Sequence, residues 1–444
     1  MSDETPPADD AAPDEVEETE IAEAEASASE TSQAEASETA VAEGEEGGSD
    51  GDDRKRLFFA NLTGVGGDWV SLYVVPLLAV VTALLIGAII IAFSDLDTLR
   101  EWTDSPSEAI ATTFTTIVDA FRSLFTGAFG SPKAWSETLT RAAPLILAGL
   151  AVAIGFQAGL FNIGANGQIL MGGMFAVVVG FSFSLPAVIH VPLVIIAGMV
   201  GGAIWGGIPG YLRARTGAHE VITTIMFNFI ALKLVDYWLT IDFFQLVGRD
   251  DPVSKSVETS ARYPKLLGWL DSSLRLHLGI VIAIGAAIFI WWLLYRSTLG
   301  FQFRAVGANP DAAKYAGMNV AFLTIAVMAI AGSMAGLAGV DQVTGTLGRA
   351  TPGFAGVIGF DAIALALLAR SNPIGVIFAG ILFGGLAAGG QAMQASTTVG
   401  IDIVTVIQAL IIVFIAAPAL VRSMWRLPAP TVEEGVQVTK GWAT

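Results

Sequence analysis

Residues 71–93 (SLYVVPLLAVVTALLIGAIIIAF) run for 23 positions without a charge. About 20 apolar residues suffice to cross a bilayer as a helix, so this stretch places the chain in a membrane. Comparable runs recur at 141–160, 163–184, 188–210, 219–240, 277–295, 321–341, 353–369, 374–394 and 401–421. The second to fourth follow one another closely, joined only around Asn162 and at His190-Val191-Pro192. The reading is an all-α, polytopic membrane protein with ten spans, within a range of eight to ten should one of the close-set three re-enter. A composition 53% hydrophobic and 14% charged agrees. Cysteine is absent, which excludes disulfides, thiolate metal sites and a lipobox anchor.

Charge divides the chain into unequal parts. Residues 1–53 hold 20 of the 41 acidic residues and no Lys or Arg, so the remainder, with 21 acids against 23 bases, is close to neutral. This segment is poor in large apolar residues and cannot offset the entropy of ordering, so it reads as an acidic disordered tail or a docking tail for a partner. It also lacks the basic start and apolar core of a signal peptide. Residues 54–426 form the transmembrane domain, and 427–444 a short second tail.

Bases in short loops set the orientation. Arg54, Lys55 and Arg56, then Arg213 and Arg215, Arg296, Arg304 and Lys314, Arg370, and finally Arg422 and Arg426 all fall on one side of a ten-span chain. That side is expected to be cytoplasmic, with both termini inside a multi-pass plasma-membrane protein. In the opposite loop, Ile110, Phe114, Ile117, Phe121 and Phe125 recur at helical spacing and suggest an amphipathic helix over 106–129 on the outer interface. Gly198, Gly202, Gly206 and Gly210 recur every four residues, as do Gly332 with Gly336 and Gly380 with Gly384. Small residues at this spacing let helix backbones approach closely in lipid.

No G-x-x-x-x-G-K-[ST] or H-E-x-x-H pattern occurs, so the chain reads as neither an ATPase nor a metalloenzyme, with no catalytic residue, cofactor or metal expected. His190, His219 and His277 are scattered near span ends and read as interfacial structural residues. Asp361 and Asp402, taken as the only carboxylates of the later spans, lie near span starts, a weak pattern for the alternative of an ion-coupled secondary transporter.

The segment 300–319 (GFQFRAVGANPDAAKYAGMN) lies between two spans on the basic side. Asn309-Pro310 signals a helix start, Asp311 suits the positive first turn, and Gly317 a stop. Local chemistry thus gives a short surface helix, either a connector or something more. Asp311-Ala312-Ala313 followed by Gly317 resembles the E-A-A-x-x-x-G loop of ATP-binding-cassette importer permeases, with Asp for Glu. Residues 159–168 (GLFNIGANGQ) look like the F-N-I-G-A-E-G-Q signature of the nucleoside and simple-sugar branch, with Asn166 where Glu is usual. Residues 220–228 (EVITTIMFN) and 359–368 (GFDAIALALL) resemble two further segments of that branch. The resemblance covers most of 140–420.

It implies a permease subunit of an ATP-driven importer of a small neutral polar solute, a nucleoside or a simple sugar. Arg304, Gly307, Asn309, Pro310, Asp311, Ala312, Ala313 and Gly317 would couple to the ATPase. The implied partners are an ABC ATPase subunit, a second and distinct permease, an extracellular substrate-binding lipoprotein and membrane lipid, with no nucleic acid. Physically, Asn162, Asn166, Gln168, Glu220, Thr224 and Asn228 are polar groups at membrane depth. Such groups pair with neighbours or line a wet cavity, so the six are candidates for interhelical bonds or a substrate path.

Overall fold

The computed structural model describes residues 74–94, 106–397 and 399–427. The acidic tail, Arg54, Lys55, Arg56 and the segment beyond 427 lie outside the described residues. Helices α1 (Val75–Ser94), α2 (Pro106–Phe129), α3 (Pro132–Gln157), α4 (Ala165–Ser182), α5 (Ala187–Thr216) and α6 (Glu220–Trp238) come first. An irregular segment follows, and then α7 (Gly279–Arg296), α8 (Thr298–Ala308), α9 (Pro310–Tyr315) and α10 (Val320–Val340). A π-helical stretch, Asp341–Leu347, precedes α11 (Ile358–Leu368), α12 (Pro373–Ser396), α13 (Ile401–Ala416) and α14 (Pro418–Met424). No strand is present among the described residues beyond two isolated bridges, Gln245 with Ser254 and Lys265 with His277.

Helix starts follow local chemistry. The Ser131 hydroxyl accepts the Ala134 N–H at 3.1 Å ahead of Pro132 at the first helical position. Asn372 caps α12 in the same way ahead of Pro373. These caps occupy N–H groups that a helix leaves unpaired.

Among the described residues, eight helices are long and apolar enough to cross a membrane: α1, α3, α4, α5, α6, α7, α10 with its π extension, and α12; the bent pair α13 and α14 makes nine if it is one span. This lies within the expected eight to ten, and ten itself is not reached for two reasons. The run 353–369 yields only the 11-residue α11, about 16 Å of helix, too short to cross alone. Glycines in the left-handed region at 348, 353 and 356 leave the stretch before it unwound. The run 401–421 bends by 94° between α13 and α14, where Pro418 starts a new helix. The chain still travels the length of the bundle between 349 and 371. Ala350 N–H bonds Ser254 Oγ (2.8 Å) at one end, while the Ser371 carbonyl accepts Gln157 Nε2 (3.3 Å) at the other.

Two apolar cores form, a large one around α3, α4, α7 and α10 and a second around α1, α12 and α13. α2 has the expected bounds, but its contact face is small: Ala109, Ala120, Leu124 and Ala128 are buried while Ile110, Phe114 and Phe125 point outward. The glycine faces meet as their spacing implies. A methyl at Gly202 would fall on the Gly332 carbonyl oxygen, one at Gly336 on the Gly198 carbonyl, and one at Gly206 on the Met328 carbonyl. α5 and α10 therefore touch backbone to backbone, where no larger residue fits. Gly202→Leu should remove the protein from the membrane fraction on an immunoblot, whereas Gly285→Leu on α7, where an added Cβ meets nothing within 4 Å, should leave its level unchanged.

Candidate functional site

α9 is built by its cap. Asn309 Oδ1 accepts the Asp311 and Ala312 N–H groups, both at 3.0 Å, and Pro310 occupies the first position. Gly317, at φ 83°, ends it, and Met318 N–H closes on the Ala313 carbonyl at 3.0 Å. Asp311, Ala312, Lys314 and Tyr315 are exposed, Tyr315 at 95%. Ala313 is not: it is 3% exposed and belongs to the large core. The sequence reading grouped both alanines as a surface for a partner. Only Ala312 faces outward, because α9 lies on the bundle with one side down.

The end of α8, which leads into α9 at Asn309, rests on the end of α3. A methyl at Gly307 would strike the Gln157 carbonyl, and Gly159, at φ 68°, packs its backbone against Gly307. The half-buried Arg304 places its guanidinium 5.3 Å from the Tyr295 ring centre, a cation–π contact.

Gly159 opens the break between α3 and α4, where five candidate residues gather. Asn162 Nδ2 donates to Gln168 Oε1 (3.0 Å), and Gln168 Nε2 donates to Asn162 Oδ1 (3.1 Å). Asn162 Oδ1 also accepts the Gly164 N–H at 3.0 Å. From α6, Asn228 Oδ1 accepts the Gly167 N–H (2.7 Å) and its Nδ2 donates to the Ile163 carbonyl (2.9 Å). Thr224 is fully buried, packs on Gly164 and bonds its own helix at Val221. Glu220, 6% exposed, is ion-paired with Arg213 and accepts the Phe161 N–H at 3.5 Å. In this arrangement the amides hold an irregular turn closed, as buried polar groups in an apolar bundle must be paired.

Asn166 is different. It is half-buried, and its Oδ1 accepts the Gly359 N–H at 3.3 Å, joining the starts of α4 and α11. Next to this junction Val357, at the end of the unwound stretch, and Phe360, in the first turn of α11, are exposed, at 64% and 50%. α6 also carries Lys233, whose exposed ammonium lies 3.5 Å from Asp236. Sequence reasoning passed over Lys233 and Asp236, although charges inside an apolar run are a signal in themselves. The count of later-span carboxylates also missed Asp341, the last residue of its run, which is fully buried. His190 and His277 sit in the interior rather than at an interface, at 0% and 1% exposure, and only His219 is exposed. Among the described residues no three His, Asp or Glu side chains gather as a metal site.

An all-helical bundle with interrupted crossings, glycine-faced contacts and a capped helix standing on a polar turn defines a membrane permease. Residues 134–416 match the family described as branched-chain amino acid transport system / permease component, and the chain belongs to it. The chain is 39% identical over 355 residues to the guanosine ABC transporter permease protein NupP of Bacillus subtilis, covering 80% of this chain and 95% of that one. It is 36% identical to the nucleoside ABC transporter permease protein NupB of Lactococcus lactis subsp. cremoris, over 82% and 96% of the two chains. The glucose ABC transporter permease protein TsgB13 of Haloferax volcanii is 34% identical, over 78% and 87%. No solved structure matches.

Asn228→Leu would leave the Gly167 N–H and the Ile163 carbonyl without partners. It should lower the unfolding free energy of the detergent-solubilised chain by about 1–3 kcal/mol. Thr223→Val, which removes bonds only to its own helix, should cost clearly less in the same denaturation assay.

Proposed function

We propose that this permease imports a nucleoside or simple sugar through alternating access driven by ATP hydrolysis in a partner subunit docked on α9. One observation carries the reading: α8, whose C-terminal end joins α9 at Asn309, bears on the α3–α4 break through Gly307 and Gly159. A push on α9 passes into the end of α8 and reaches the polar turn where these two glycine backbones touch. The cargo class is supported by the named relatives, permeases for guanosine, nucleosides and glucose.

The α9 end faces the cytoplasm in this reading, and an extracellular binding lipoprotein delivers solute to the opposite end. The solute passes between this chain and a second, distinct permease. Support comes from Asn166 with the unwound stretch ahead of α11 and, on α6, from Lys233 with Asp236. Irregular backbone and charge at membrane depth are tolerated against protein or water, not against acyl chains. Asn162, Gln168, Glu220, Thr224 and Asn228 hold the turn at the α3–α4 break, and that turn shifts during transport.

Ala312→Trp should leave membrane levels normal while reducing ATPase co-purification and uptake together; intact co-purification would refute docking on α9. Cysteine substituted for Val357 in this cysteine-free chain should react with a water-soluble maleimide in membranes of cells carrying the full transporter. Solute should slow the reaction. Labelling only by lipid-soluble reagents would place this face against lipid instead.

A further inference from the structure

At the end of the bundle opposite α9, the chain buries a carboxylic acid that the coupling scheme does not use. Asp341 is fully buried where α10 passes into its π-helical extension, and neither carboxylate oxygen has a hydrogen-bond partner. His277, 1% exposed, faces it from the segment before α7, with Nδ1 3.7 Å from Asp341 Oδ1. That same Nδ1 accepts the Gly279 N–H at 3.2 Å, so it presents a lone pair, and Nε2 has no partner. Two acceptor atoms thus face one another in a fully buried site. A methyl at Gly279 would fall on Asp341 Oδ1, and one at Gly345 on the His277 ring, so the walls are already in contact with both groups.

Neutralisation from elsewhere is poor. α4 and α10 contain no ionisable residue, and α7 has only Tyr295 and Arg296, both at its far end. Arg275, from the segment carrying His277, turns outward to Glu137 of α3, 3.4 Å away. Arg262, also exposed, bonds the Val257 carbonyl at 3.3 Å. Tyr263, whose ring centre lies 5.9 Å from that of His277, is kept un-ionised by burial, which pushes its hydroxyl well above the ordinary range. Burial first, and the Arg275 charge second, lower the His277 imidazole to about 4, so near neutral pH it is uncharged. An ionised carboxylate buried in the protein with neither a donor nor a cation beside it is strongly disfavoured. One proton between the two acceptors removes both the charge and the lone-pair repulsion, and it belongs to the pair rather than to either residue.

We propose that Asp341 and His277 form a binding site for a single proton, occupied in the arrangement seen here and emptied when the ends of α7 and α10 part. When water enters, the acid O–H bond breaks, the proton passes to water and the carboxylate remains hydrated. The π-helical stretch and Gly348, at φ 71°, give α10 an irregular end where such parting can start. Protons on that side then act as a ligand of the sealed arrangement and oppose its opening. Only the naming of that side as external rests on the transport reading above.

The site is tested on the full-length protein in detergent by infrared spectroscopy near neutral pH. The wild type should show the carbonyl stretch of a protonated carboxylic acid that Asp341→Asn lacks. His277→Gln should shift that band, which keeps the test decisive if the Asn variant fails to fold. Identical spectra for the wild type and either variant would overturn the site, whatever the chain transports. In proteoliposomes with the complete transporter, lowering external pH should slow wild-type uptake, by at most about tenfold per pH unit for one proton. Asp341→Asn, which mimics the protonated acid, should abolish that dependence. A pH profile unchanged by the substitution would overturn the link to opening.

Discussion

The contact between α5 and α10 is made by backbone, with the Gly198, Gly202, Gly332 and Gly336 faces pressed together so closely that a methyl on any of them would strike the opposite chain. Lipid tails are as apolar as leucine, so hydrophobic burial does not by itself bring helices together in a membrane; close packing does. This contact fixes α10, and α10 connects the two ends of the molecule. One end descends from α9 and the other continues into the π-helical stretch with Asp341. A rigid pair of this kind moves as a body, which is what alternating access between the two sides of a membrane asks of its parts.

Around that pair the chain is interrupted where interruption is useful. The α3–α4 break and the unwound run before α11 meet at Asn166 and Gly359. Each is paid for with internal hydrogen bonds, those of Asn162, Gln168 and Asn228 at the first and of Asn166 at the second. α8, just ahead of α9, rests on the first break through glycine backbone. In this arrangement Asn162, Gln168 and Asn228 spend their hydrogen bonds on holding that turn closed.

Much of the site was readable residue by residue. Asn309-Pro310 and Gly317 specify the start and end of α9 because a cap and a left-handed stop are local backbone chemistry. The inward turn of Ala313 was not readable, since six helical residues have too little pattern to reveal which side meets the bundle. Asp341 escaped because it ends an apolar run, where a charge passes for an interfacial residue, and Lys233 because its helix is otherwise convincingly apolar.

Hydrophobic length, charge placement and glycine spacing determined that this chain is a bundle of membrane helices with a capped helix on its basic side. All three are short-range properties carried by the residues themselves. Tertiary structure decided that the run 353–369 would be half unwound and that Asn162, Gln168 and Asn228 would satisfy one another. It also placed His277 against Asp341, 64 positions away in sequence. Those outcomes depend on which distant backbone comes close enough to exclude water, and no window along the chain contains that information.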